Sequence, residues 1–213
     1  TPDWLWHSWV AAHGEENTRA IACAHLQNPP LDFTVKDPTC TDQIATALDA
    51  QIMPAGTLRR TAGGAVADLP GFAAGNWFVQ DLAAALPASL LISWARAANL
   101  DPASLTAIDL CAAPGGKTAQ LAAAGVSVIA VDRSRNRLRQ LTQNFERLGL
   151  IAKSITAEGA TWQPAGAVDL VLLDAPCSAT GTVRRHPDIL HLKTPHDVTS
   201  LNQTQANLIR AAA

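Results

Sequence analysis

The sequence predicts an α/β chain built on a doubly wound parallel sheet, preceded by a small α+β module. Three observations point there. From about Gln80 onward, short apolar runs alternate with helix-length stretches, the rhythm of parallel strands joined by helical crossovers. Two of those apolar runs, 126–131 and 168–173, are each followed at once by an acidic residue, Asp132 and Asp174. A Gly115-Gly116 turn joins the run 106–111 to the helix after it.

Bulk composition sets the bounds. The 213 residues suffice for one good-sized domain, or one domain with a smaller companion. Apolar residues make up 48% and charged residues 16%, so a packed core is expected rather than wholesale disorder. A net charge of −2 argues against gripping nucleic acid by bulk charge and leaves that task to a local patch. No apolar run reaches bilayer length, and no basic-apolar-small leader opens the chain. The four cysteines (Cys23, Cys40, Cys111 and Cys177) form no CxxC pair. Neither a disulfide framework nor a metal site is expected, and a reducing cytoplasm suits the chain best.

Taken in order, residues 4–27 read as helical, with Trp4, Leu5, Trp9, Val10, Ile21 and Leu26 as apolar faces and Asn28-Pro-Pro30 as the stop. Residues 31–35 alternate like a short strand, and Thr41-Asp42 suits the start of a helix through Ala50. Gly63-Gly64 and Pro70-Gly71 mark turns. The small module is expected to span 1–75 and the larger domain 76–213. In the latter, 81–98 is a helix candidate interrupted by Pro87. Strands are expected at 106–111, 126–131, 151–156 and 168–173, with helices at 117–124, 133–148 and 199–213. The helix 133–148 carries Leu138, Leu141, Phe145 and Leu148 at helical spacing and stops at Gly149.

The run Asp109-Leu-Cys-Ala-Ala-Pro-Gly-Gly-Lys-Thr118 carries the first chemistry. In a doubly wound sheet the ligand sits at the carboxyl ends of the strands. There Gly115 and Gly116 permit a tight turn and close approach, and an acid roughly twenty residues on suits ribose hydroxyls. Asp132 holds that place. The phosphate fingerprint GxGxxG is absent, and Pro114 stands where a flexible residue would wrap a pyrophosphate. A ribose-bearing, phosphate-free cofactor follows, and S-adenosylmethionine fits. Glu158, after the third strand, is a further candidate for the adenine edge or the ribose.

The run Asp174-Ala-Pro-Cys-Ser-Ala-Thr-Gly181 puts a carboxylate and a thiol at the end of the fourth strand. Carbon 5 of a cytosine is too weak a nucleophile to accept a methyl group unaided. Thiolate addition at carbon 6 makes the ring an enamine, which can attack a sulfonium methyl; a base then removes the carbon-5 proton and the thiolate leaves. Asp174 is the candidate acid near ring nitrogen 3, Cys177 the candidate thiol, and Lys117 a candidate for orienting the base. A buried, inert Cys177 is the bland alternative. Arg184-Arg185 follows directly and suits an RNA backbone beside a flipped base. Arg133, Arg135, Arg137 and Arg139 add charge on one helix, equally consistent with a solvated face. The histidines show no ligand spacing.

These motifs resemble the bacterial RNA 5-methylcytosine methyltransferases, nearest the branch acting on 16S ribosomal RNA. The resemblance is carried by 109–118, by Ala130-Val-Asp132, and above all by the run from Leu172 to Asp188, with weaker likeness running from Gly71-Phe72 to Gln80-Asp81 and in the opening Pro2-Asp-Trp-Leu5. It implies the class I S-adenosylmethionine-dependent methyltransferase fold. It also implies that Cys111, Ala112, Ala113, Pro114, Gly115, Gly116, Lys117, Asp132 and Asp174 contact the cofactor. Glu158 departs from the family's Gly-Asp-Gly. The resemblance further implies two cysteines: Cys177 would help release product, and the nucleophile would lie in a Thr-Cys pair on a strand after Ala213. Both ends read as cut, and the run 168–173 is then expected to form an exposed apolar edge with poor solubility or a need for a partner. Two other readings stay open: a non-catalytic RNA-binding or assembly module with a vestigial pocket, and a methyltransferase for another substrate. A dinucleotide oxidoreductase is remote without GxGxxG.

Overall fold

A computed structural model describes residues 1–213. The chain opens with α1 (Asp3–His13) and α2 (Glu15–His25). One continuous helix was expected here; Gly14 breaks it with φ 78° and ψ 164°, a conformation open to glycine. Next come β1 (Leu31–Val35), α3 (Thr41–Leu48), β2 (Gln51–Ile52), β3 (Leu58–Arg60) and β4 (Trp77–Val79). The α/β part follows as α4 (Leu82–Ala97), β5 (Thr106–Leu110), α5 (Gly116–Ala123), β6 (Ser127–Asp132), α6 (Arg135–Leu148), β7 (Lys153–Thr156) and β8 (Leu170–Leu173). The chain closes with α7 (Ile189–Leu192) and α8 (Pro195–Ala212). No helix is long and apolar enough to cross a membrane.

Two compact units result, one from residues 1–29 with 176–206, the other from 30–175 with 207–213. The second holds both sheets. Its antiparallel sheet has the order β2-β3-β1-β4. Phe33, Leu48, Leu58 and Trp77 are its fully buried centre, Phe33 and Trp77 meeting edge-on with ring centroids 4.6 Å apart. Strand β4 belongs to this sheet and lies past residue 75, where the sequence suggested that the small module ends. Strands of two or three residues leave no periodicity to read, so β2, β3 and β4 escaped the sequence.

The parallel sheet has the order β7-β6-β5-β8, with β8 at its edge and Val171 exposed. Alternation along β5 splits the core. Ala107 faces a cluster with Ala88, Ala95 and Leu121, while Ile108 and Leu110 pack with Val131 on the other side. Residues Leu138, Leu141, Phe145 and Leu148 of α6 are buried in one row, as their spacing predicts. Helix α4 runs through Pro87, where an interruption was expected. Burial of Ala85, Ala88 and Ala95 outweighs the one missing hydrogen bond.

In the other unit, Leu5, Thr18, Val183 and Ile189 are buried. The rings of Trp9 and His25 lie 5.5 Å apart. Burial, and then the Arg184 charge, hold the His25 imidazole below its ordinary value.

Candidate active site

The chain leaves β5 for β6 and β7 on one side and returns to β8 on the other. Strand order therefore reverses between β5 and β8, and the crevice beyond the strand ends at such a point is where this architecture seats ligands. The loop from β5 into α5 forms one wall. Its Ala112 N–H donates to the Val131 carbonyl at 3.0 Å, Ala113 N–H to Asp132 Oδ2 at 3.2 Å, and Gly115 N–H to the Ala112 carbonyl at 2.9 Å. Three N–H groups of the loop are thus engaged within the protein. At Gly115, φ is 103° and an added Cβ would sit 2.7 Å from Leu141 Cγ, so both backbone and packing demand glycine.

Asp132 ends β6 and is 3% exposed. Its Oδ1 accepts from Ser134 N–H at 2.8 Å, and its Oδ2 lies 3.5 Å from the Arg137 guanidinium. Arg137 also donates to the Ala113 carbonyl. It therefore ties the loop to the acid, a task hidden in the sequence among four arginines on one helix. Cys111 takes φ 63° and is half-buried, and its thiol is pushed up to about 11, by burial first and then by the Asp132 and Glu158 charges. Burial thus favours the neutral thiol. Glu158 is exposed just after β7.

Across the crevice, Lys117 Nζ meets Asp174 Oδ2 at 2.6 Å, joining the start of α5 to the end of β8. Lys117 is 13% exposed and Asp174 58%, so the carboxylate side of the pair is open to a ligand. Beneath them Asp109 is fully buried in β5. Its Oδ2 accepts from the Thr118 hydroxyl at 2.6 Å, and its Oδ1 has no partner. Burial pushes this carboxyl up to about 7, against the pull of Thr118 and Lys117. A cavity of about 390 Å³ opens here, walled by residues 112–117 and, opposite, by Phe78, Gln80 and Asp81. Asp109 was read only as the start of the motif; a charged residue inside a buried strand was the signal that it mattered.

The candidates therefore divide. Cys111, Ala112, Ala113, Pro114, Gly115, Gly116, Lys117, Asp132, Glu158 and Asp174 all gather at the carboxyl ends of the parallel strands or on the loops that leave them. Cys177, Arg184 and Arg185 belong to the other unit. Cys177 is exposed. The Arg184 guanidinium donates to the carbonyls of Gln27 at 3.4 Å and Asn28 at 3.0 Å, a structural engagement that the sequence did not reveal. Arg185 is exposed.

The donor set suits S-adenosylmethionine: a buried acid for ribose hydroxyls, a glycine turn without the GxGxxG fingerprint, and an orphaned carboxylate oxygen beside a cavity. Comparisons with known proteins agree. The family model described as 16S rRNA methyltransferase RsmB/F matches residues 97–213, more than half of the chain. A probable ribosomal RNA small subunit methyltransferase B from Synechocystis sp. is 35% identical over all of this chain and 49% of its own length. The ribosomal RNA small subunit methyltransferase B of Serratia proteamaculans is 41% identical over 99% of this chain and 50% of its own length. The chain thus spans about half the length of these curated relatives. The solved structure of NSun6 from Pyrococcus horikoshii with SFG superposes with a TM-score of 0.77, at 19% identity, over 99% of this chain and 79% of that one. Fold and relatives are of the S-adenosylmethionine-dependent methyltransferase type, as the motifs implied. From its sheet order, its Gly115-Gly116 loop and these matches, the chain belongs to the 16S rRNA methyltransferase RsmB/F family.

Proposed function

We propose that this chain forms the cofactor-binding part of an enzyme that methylates carbon 5 of a cytosine in 16S ribosomal RNA through a covalent cysteine adduct. The observation that carries the reading is the Lys117–Asp174 pair, 2.6 Å apart at the reversal of strand order. In this reading residues 76–213 hold the cofactor and residues 1–75 guide the RNA. Cys111 to Lys117, Asp132, Glu158 and Asp174 hold S-adenosylmethionine, which supplies an electrophilic methyl group when bound.

The residues of this chain do the rest by orientation and proton handling. Asp174 is the acid at ring nitrogen 3 of the cytosine, and Lys117, paired with it, orients the base. A proton delivered at nitrogen 3 takes up the electron pair displaced when a thiolate adds at carbon 6. Once carbon 5 has taken the methyl group its proton passes to a base, nitrogen 3 returns its added proton, and the carbon–sulfur bond breaks to restore the aromatic ring. Cys177 serves product release, with the attacking thiol supplied by a Thr-Cys pair. Arg185 stands at the RNA backbone, and Arg184, engaged at the Gln27 and Asn28 carbonyls, holds the segment that carries it.

The test is covalent trapping. The full-length protein is incubated with S-adenosylmethionine and 16S-derived RNA carrying 5-fluorocytosine at its cytosines. Fluorine cannot leave as a proton does, so the expected result is a protein–RNA adduct stable to denaturation. Methyl transfer to ordinary RNA with no adduct on the fluorinated RNA refutes the covalent route. RNA binding with neither transfer nor adduct favours a non-catalytic assembly module.

A further inference from the structure

The antiparallel sheet reaches the Gly115-Gly116 turn through one side chain. Gln80 follows β4 directly and is 6% exposed. Its backbone N–H donates to the Asp32 carbonyl at 3.0 Å, which extends the β1–β4 pairing. Its side-chain carbonyl accepts from the Thr34 hydroxyl of β1 at 2.6 Å. Its amide nitrogen donates to Gln120 Oε1 of α5 at 2.8 Å. Gln120, 8% exposed, passes the chain on, donating to the Ala85 carbonyl and to Ser89 Oγ of α4, each at 3.1 Å. Both buried amides thus have donor and acceptor sides satisfied, and only a residue with one of each continues the relay.

The relay touches the turn itself. A Cβ at Gly116 would lie 3.3 Å from Gln80 Nε2 and 3.5 Å from its Cδ. Gly116 is the first residue of α5, and Gln120 stands one helical turn later on the same face. Gln80 therefore packs on the turn and holds the next turn of the same helix. The Gly115-Gly116 loop cannot shift without disturbing a buried hydrogen bond to the antiparallel sheet.

We infer that Gln80 is a positioning residue for the Gly115-Gly116 turn, through which the antiparallel sheet sets the affinity of the cofactor site. The inference rests on the reading of that turn as the S-adenosylmethionine site. Coupling of this kind is reciprocal: a ligand that stiffens β1 and β4 tightens cofactor binding, and bound cofactor stiffens those strands.

Three variants test it in the whole chain: Gln80→Met, Gln120→Met and the double substitution. Thr34→Val accompanies them as a milder change that removes only the donor to Gln80. S-adenosylmethionine affinity is read by calorimetry, and amide hydrogen exchange at 115–118 is read without ligand. Gln80→Met is expected to weaken binding about tenfold and to speed exchange at the turn, because it strands a buried amide. Thr34→Val shifts both in the same direction by about threefold. The double variant loses no more than the worse single one, since the two amides act as one unit. A role confined to stability lowers Tm and leaves affinity and turn exchange unmoved. Wild-type affinity and wild-type exchange in folded Gln80→Met overturn the inference. If the wild-type chain binds no S-adenosylmethionine, the functional reading of the turn fails, and the exchange arm alone decides whether Gln80 positions it.

Discussion

Asp32 of the antiparallel sheet and Asp109 of the parallel sheet are both buried in a strand, and their surroundings differ. Asp32 in β1 receives two hydrogen bonds from Arg59, at 2.8 and 2.7 Å, and a third from Leu82 N–H at 3.1 Å. It fixes the start of α4 and pairs two strands. Asp109 in β5 receives one side-chain hydrogen bond, keeps a lone oxygen, and is pushed up to about 7 by burial. Asp32 is saturated and works as a joint. Asp109 is unsaturated and lies beside a cavity and the Lys117–Asp174 pair.

The sharpest way to break this contrast is to strike each side and read both activity and stability. Asp174→Asn in the full-length protein is expected to cut methyl transfer by about a hundredfold to ten-thousandfold. Its urea midpoint should fall less than that of Asp32→Ala, because the acid is 58% exposed. Asp32→Ala reverses the pattern. It strands Arg59 and the Leu82 N–H, and should cost about 3 kcal/mol in urea unfolding. A variant of Asp32 with wild-type stability would dissolve the distinction.

Smaller effects sharpen it. Arg137→Ala frees the Ala113 carbonyl and one side of Asp132, and should weaken S-adenosylmethionine binding about tenfold while leaving the melting temperature nearly unchanged. At Asp109 the effect is seen as a pH slope. Its folded value, about 7, lies above the ordinary 3.8, so the native state binds the extra proton between them. Stability from this group is complete below pH 4 and drains away as pH rises through 7. Asp109→Asn should therefore gain on wild type between pH 4 and pH 8 in urea midpoints. A parallel pH dependence of the two proteins contradicts the assignment.

Much of the parallel sheet was legible because its signals are local. Apolar runs ending in Asp132 and Asp174, the glycine turn, and the leucine row stopped by Gly149 each speak within a few residues. Other features depend on partners far along the chain. Gly14 breaks a helix whose composition reads as continuous, and the packing of α4 carries it across Pro87. Arg137 differs from Arg133, Arg135 and Arg139 only in what faces it. Arg184 looked free for a phosphate, and its guanidinium lies on two backbone carbonyls more than 150 residues away. The relay of Gln80 and Gln120 joins residues 40 positions apart, with nothing in either neighbourhood to announce it.

The most direct test of the central claim is a calorimetric titration of the chain with S-adenosylmethionine, repeated with NADH and repeated on Asp132→Ala. The account predicts saturable binding of S-adenosylmethionine at one site per chain, its loss in Asp132→Ala, and no heat from NADH. Absence of S-adenosylmethionine binding to the folded chain, or equal binding of NADH, would contradict a phosphate-free adenosine cofactor seated between β5 and β8.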